Sequence, residues 1–364
     1  MKYIKQLDAI RAIAVIMVIC AHWIANEGIQ KYNVGYNGVD IFFVLSGFLI
    51  TTILLKERLE AEKNELSNFK IIKNFIFRRT LRIFPIYYIF IFSILIIGNK
   101  IGTDIKSNFI YYFTYTSNLL FFLNQSWDGI ITHLWSLAVE EQFYLLWPWV
   151  IVFIPKKMLL PIILFFIALG ISSNFAISYS FPGYKHILML TPTCFDAFGI
   201  GAILAYFSVF SLDKLINLKT PIIIIGVFVL LVYLLLRYFD IDTFLPRRTY
   251  LSIFAASLIV FAQYSTNNII NRYILSNKIL IFIGKISYGI YLFHNIVPWL
   301  YEVFFKFLDK HQINIPLINC HVPSVIYFEL QLFEMFCFLI FLAWFSWYFF
   351  ESRINKLKIK YKFH

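Results

Sequence analysis

The chain has 364 residues, of which 60% are hydrophobic, 20% aromatic and only 14% charged. A soluble domain carries about a quarter charged residues, so these proportions exclude a water-soluble globular protein and point to a polytopic membrane protein. The net charge of +12 does not indicate nucleic-acid binding: the basic residues fall between apolar runs, not along one stripe, and read as topogenic charges and headgroup contacts.

A helix of about 20 apolar residues crosses a bilayer. In chain order the candidate spans lie near 8–26, 38–55, 83–98, 134–154, 158–177, 190–208, 221–239, 250–265, 284–305 and 325–349. The fold class expected is therefore an all-α bundle of about ten transmembrane helices with a polar cavity inside it. The stretch 109–127 is apolar but dotted with Asn and Ser, and reads as a re-entrant or interfacial segment. The loop 56–82 is too short for a core; its end, NFKIIKNFIFRRTLRIFP, mixes apolar and basic residues and is expected to lie on the membrane surface as an amphipathic helix. With both termini in the cytosol, 21 of the 32 Lys and Arg fall inside and nine outside, which supports an N-in, C-in topology. The membrane unit is expected to run over 1–354, followed by a basic cytosolic tail, 355–364. The first span is no signal peptide, because Arg11 and His22 interrupt it and no cleavage site follows. Cys20, Cys194, Cys320 and Cys337 fit no metal spacing, so neither a metal nor a disulfide is expected. His186, His311, His321 and His364 receive no role.

The informative residues are the polar ones that hydrocarbon disfavours. The first span, LDAIRAIAVIMVICAHW, holds Arg11 and His22. Eleven residues at about 100° each end only about 20° past three turns, so the two share one face, ~16 Å apart along the axis. Taken singly, Arg11 also reads as snorkelling to the cytosolic headgroups and His22 as an outer cap. The second span opens GVDIFFVLSGFLI, with Asp40 at its outer start and Ser46 deeper. Asp40 either caps the helix N-terminus or orients a histidine. In RRTLRIFPIYY, Arg79 and Arg82 stand at i, i+3 and would grip a diphosphate, although arginines at a span entrance are also plain topogenic charge. HLWSLAVEEQFYLLWP packs His133, Trp135, Ser136, Glu140, Glu141 and Tyr144 ahead of an apolar run. Of these, His133, Ser136 and Glu140 line one helical face. TPTCFDAFGIGAILA places Asp196 inside a span, and ISYGIYLFH adds Ser287, Tyr288, Tyr291 and His294, which also suit interhelical hydrogen bonding.

Together, and in this order along nearly the whole chain, these motifs resemble the acyltransferase-3 family of bacterial membrane O-acyltransferases. The resemblance implies a cytosolic acyl-CoA donor, most often acetyl-CoA, used as a co-substrate with no permanently bound cofactor. It implies an acceptor hydroxyl on a cell-envelope glycan or lipid-linked sugar, and residence in the bacterial cytoplasmic membrane. It ties Arg11 with His22 to activity, and Arg79 with Arg82 to the donor. Two departures stand out. The proline that many members carry after the closing glutamate is absent, Glu351 being followed by Ser352 and Arg353. No C-terminal SGNH-type domain is expected after the tail, and the resemblance then implies action alone or with a separate partner protein on the outer side.

The expected chemistry follows. Arg11, Arg79 and Arg82 hold the CoA phosphates. His22 is the general base, and Glu140 and Asp40 orient its imidazole. His133, Trp135, Ser136, Glu141, Tyr144, Ser46, Asp196, Tyr288 and His294 shape the acceptor side or support the site. A transporter or flippase for a lipid-linked glycan, an acyltransferase acting on a secreted small molecule, and a non-catalytic sensor are the competing classes.

Overall fold

The computed structural model describes residues 3–24, 26–65, 67–311 and 324–357. Cys320, His321 and the tail from residue 358, His364 included, lie outside them. No strand occurs among the described residues. The helices run α1 (Lys5–Trp23), α2 (Glu27–Lys31), α3 (Val34–Lys63), α4 (Asn68–Ile97), α5 (Phe109–Phe113), α6 (Ser117–Asn124), α7 (Leu134–Phe153) and α8 (Lys156–Ser180). They continue as α9 (Phe195–Phe210), α10 (Leu212–Asn217), α11 (Lys219–Tyr238), α12 (Arg247–Tyr264), α13 (Lys278–Lys285), α14 (Ser287–Phe293), α15 (Val297–Lys310), α16 (Ser324–Ser346) and α17 (Ser352–Leu357).

Seven described helices are long and apolar enough to cross a membrane: α1, α3, α4, α8, α11, α9 with the turn before it, and the segment 328–354. α7 and α12 have crossing length, 20 and 18 residues, but carry buried polar groups, Ser136 and Glu141 in one and Arg248 and Ser252 in the other. Two expectations need correction. The span expected over 284–305 is not continuous, because the chain unwinds between α14 and α15. The amphipathic helix expected within 56–82 is no separate element. α4 starts at Asn68 and runs unbroken into the third span, since residues 68–84 contain neither Gly nor Pro to stop it. The stretch 109–127 breaks into α5 and α6, in keeping with a segment that does not span.

α3 is the central post, packing against α1, α4, α7, α9 and α12; its apolar window is 78% buried, against 11% for α11 and 17% for α8. The peripheral helices turn residues such as Leu164, Phe165, Ile224 and Phe228 outward, the apolar belt that a lipid solvent requires. Where α3 crosses α9, the two backbones touch. A Cβ on Gly47 would collide with the Phe198 carbonyl, and one on Gly201 with the Val44 carbonyl, so small residues set the separation. Aromatic rings fill the space around the crossing. Phe143 of α7 stacks on Phe198 of α9 at 4.0 Å, and Phe43 of α3 lies 4.8 Å from the same ring. The Trp147 indole donates to Thr51 Oγ1 at 2.7 Å, giving its buried N–H a partner.

Gly47→Leu is expected to force α3 and α9 apart at a cost of about 1–3 kcal/mol or more. A fall in the thermal midpoint of the detergent-purified protein would show it; an unchanged midpoint would mean that the crossing is loose.

Candidate active site

Two cavities lie on either side of a shared wall. The inner one, about 90 Å³, is lined by Arg11 of α1, Ser46 of α3, Arg79 and Arg82 of α4, Ser136, Glu140 and Tyr144 of α7, and Ser287 and Tyr288 of α14. Arg79 and Arg82 reach it because one helical turn of α4 separates them. Arg78, on another face, pairs with Glu57 at 2.5 Å. The Arg79 guanidinium lies over the rings of Phe75 and Tyr144, 5.6 and 5.3 Å from their centroids, which holds the cation without neutralising it. Arg11 is paired with Asp8 at 2.8 Å, and Asp8 also accepts from Tyr3. Neither Arg79 nor Arg82 has a carboxylate within ion-pair distance among the described residues. Glu140 accepts hydrogen bonds from Ser46 Oγ at 2.9 Å and Tyr144 OH at 3.2 Å. Three guanidiniums facing one carboxylate make a chamber suited to a multiply charged anion.

The outer cavity, about 540 Å³, contains His22, His133, Trp135, Tyr36 and Trp127. Val39 and Tyr291 line both cavities and form the wall between them. The Tyr291 hydroxyl is held 2.5 Å from Ser136 Oγ and 3.1 Å from the His133 carbonyl. His22 is exposed in this chamber, and its Nδ1 lies 2.8 Å from the Val18 carbonyl. A carbonyl only accepts, so Nδ1 carries the proton and Nε2 keeps its lone pair. The same reasoning assigns His294, whose Nδ1 is 2.7 Å from the Tyr291 carbonyl. His133 is the opposite tautomer: Nε2 donates to the Leu292 carbonyl at 3.1 Å, and Nδ1 accepts from Asn295 Nδ2 at 3.1 Å. The three imidazoles stack edge to face, His22 on His294 and His294 on His133, each pair 4.8 Å between centroids. The unwound segment after α14 makes this possible, and Trp23 Nε1 anchors it by donating to the His294 carbonyl at 3.0 Å. Breaks of this kind expose backbone groups where they border a cavity.

The candidates therefore divide. Arg11, Arg79, Arg82, Ser46, Ser136, Glu140, Tyr144 and Tyr288 meet in the inner chamber; His22, His133 and Trp135 meet in the outer one, with His294 stacked between the two histidines. Glu140 does not bond to His22; its partners are Ser46 and Tyr144. Asp40 does not orient the imidazole either. It is 1% exposed and bound to Arg247 and Arg248, both at 2.8 Å. The fully buried Arg248 demands a counter-charge in low dielectric, and Asp40 supplies it. Asp196 is likewise occupied, accepting from Thr249 Oγ1 at 2.7 Å and the Ala197 N–H at 2.8 Å. Glu141 is buried, lines neither cavity, and leaves Oε1 without a hydrogen-bond donor among the described residues.

Sequence reasoning missed three things. Asp8 partners Arg11, a pairing visible in the i, i+3 spacing. Arg247 and Arg248 look like outer-loop charges but belong to a buried network. Tyr291 divides the chambers, and no sequence signal marks that role.

A cationic chamber backed against a histidine chamber inside a helical bundle is suited to holding an anionic group on one side and taking a proton on the other. The chain belongs to the acyltransferase-3 family, whose acyltransferase domain matches residues 4–351. It is similar to the peptidoglycan O-acetyltransferase OatA of Listeria monocytogenes, 35% identical over an alignment of 317 residues that covers 80% of this chain and 49% of that protein. It is also similar to the O-acetyltransferase OatA of Staphylococcus aureus, 32% identical over 314 residues, 80% of this chain and 50% of the relative. The chain thus spans about half the length of these relatives. No solved structure matches it.

Removing Asp40 strands Arg248. Asp40→Ala is expected to cost about 3–5 kcal/mol, the usual consequence of leaving a buried charge unpaired, whereas Arg79→Ala leaves the fold intact. Thermal unfolding of both variants in detergent checks this, and equal midpoints would remove Asp40 from its structural role.

Proposed function

We propose that this protein is an integral-membrane O-acetyltransferase that moves an acetyl group from cytosolic acetyl-CoA to a hydroxyl of a cell-envelope glycan. One observation carries the reading: the chamber with the uncompensated arginines and the chamber with His22 share the wall made by Val39 and Tyr291. Family membership and the O-acetyltransferase names of the relatives support the reaction type. The excess of Lys and Arg in one set of loops supports ten spans with both termini in the cytosol of a bacterial cell, which puts the arginine chamber on the donor side.

In this mechanism Arg11, Arg79 and Arg82 grip the CoA phosphates. Glu140, tied to Ser46 and Tyr144, shapes the chamber around them. The pantetheine arm carries the thioester toward the Tyr291 wall. The acceptor hydroxyl enters from the outer chamber and gives its proton to His22 Nε2 as the oxygen attacks the thioester carbonyl. The C–S bond breaks, the CoA thiolate leaves through the inner chamber, and the proton passes from the imidazolium to solvent or to the thiolate. His294 and His133 pack behind His22 and fix its ring. Transport of a lipid-linked glycan is the competing reading; it requires no release of free CoA.

His22→Ala is expected to lower kcat by about 10²–10⁴ while acetyl-CoA binding stays near normal. Arg79→Ala should raise the KM for acetyl-CoA roughly tenfold, as expected for loss of a charge-assisted contact. CoA release and isothermal titration separate the two; donor binding lost with His22 but unaffected by the arginine would overturn the assignment. In cells, proton NMR of surface glycans should show alkali-labile O-acetyl signals with wild type and none with His22→Ala at equal membrane expression.

A further inference from the structure

The two chambers differ in charge as sharply as in size. The inner one presents three arginines and a glutamate. Among the described residues that line the outer one, none is Asp, Glu, Lys or Arg. Its walls are instead aromatic. Trp127 is 45% exposed and held by contacts with Phe121 and His186, 5.7 and 4.2 Å between centroids. Tyr36 and Trp135 face the same space, 6.2 Å apart and tilted at 43°. The Arg247 guanidinium lies 5.4 Å from the Tyr36 centroid but is spent on Asp40 and Asn37. The exposed side chain of Gln30 lies at the same chamber.

An exposed, fixed indole beside amide donors and acceptors matches the two faces of a sugar ring: C–H bonds lie flat on the aromatic surface, and equatorial hydroxyls reach the polar rim. A volume of about 540 Å³ falls within the roughly 300–1,000 Å³ of small-ligand sites. A carboxylate or phosphate drawn into this space would give up water and meet no Lys or Arg among the described residues that line it. We propose that the outer chamber is a subsite for an uncharged pyranose, stacked on Trp127 and hydrogen-bonded by Gln30, that presents one hydroxyl to His22. The inference rests on the O-acetylation reading and narrows its acceptor: the unit that enters is neutral, whatever charge the polymer carries elsewhere.

The test uses the full chain in detergent with a chitotriose probe and the matching triglucuronide, read by saturation-transfer NMR, with acetyl-CoA titrated in parallel. Chitotriose is expected to show saturation transfer and the glucuronide at least tenfold weaker binding. Trp127→Ala should weaken chitotriose at least tenfold with acetyl-CoA affinity unchanged, and Trp127→Phe, which keeps a ring, should restore most of it. Glucuronide binding as tight as chitotriose, no transfer to either sugar, or indifference to Trp127→Ala would each overturn the subsite. Failure of the parent reading looks different: Trp127-dependent sugar binding with no CoA released and no acetyl found on the sugar by mass spectrometry. Acetylation of an anionic acceptor that ignores Trp127 would instead keep the reaction and sink the subsite.

Discussion

The buried pair between Asp40 and Arg248 is the contact on which the rest of the bundle depends. Arg248 is fully buried and spends its guanidinium on Asp40 at 2.8 Å, the Thr193 carbonyl at 2.7 Å and the Leu188 carbonyl at 2.6 Å. One side chain thereby ties α12 to α3 and to the segment that leads into α9. Such a pair is a costly way to gain stability, because desolvation consumes most of the attraction. Its value lies in position: it ties the register of α12 to that of α3 and of the segment before α9. With α3 held in place, its Ser46 reaches Glu140 of α7, and its Val39 stands between the two chambers.

The same principle, that charge in an apolar surround must be matched or used, separates the site's arginines from the structural ones. Arg58 bonds to the Ile151 and Ile154 carbonyls, both at 2.7 Å, and so holds the end of α7, while Arg78 bonds to Glu57 and joins α4 to α3. Arg79 and Arg82 line a cavity with no carboxylate in ion-pair range among the described residues. A cation left without a partner next to a cavity is costly unless an anion comes to it, so the inner chamber is suited to an anionic group. Among the described residues that line it, the outer chamber holds no Asp, Glu, Lys or Arg, and His22 presents a free basic nitrogen to its open space.

Much of this was readable before any coordinates. Apolar runs of crossing length placed the helices, because hydrocarbon imposes a minimum length and forbids unpaired backbone. Arg11, Arg79, Arg82 and Glu140 stood out because lipid would have excluded them had they lacked a use, and they share a cavity. The break between α14 and α15 was hidden: ISYGIYLFHNIVPWL is mostly apolar and long enough to read as one span despite Ser287, His294 and Asn295, and Pro298 lies beyond the unwound turn, in the first turn of α15. The partner of Asp40 was hidden too, since it lies about 208 residues away. A carboxylate at a helix start reads as a cap when its partner is that remote.

By itself, then, the sequence determined a helical membrane protein, the order of its motifs, its family and the set of polar residues that lipid would not tolerate. Those are consequences of composition and of spacing along single helices, where 3.6 residues per turn fixes which side chains share a face. The tertiary structure decided which of those polar residues neutralise one another and which stay available. It sent Asp40 and Asp196 into buried networks, gave Glu140 to Ser46 and Tyr144, and set His22 beside His294 across an unwound turn. Pairing across helices depends on register and crossing, which arise from contacts between distant segments that no local pattern encodes.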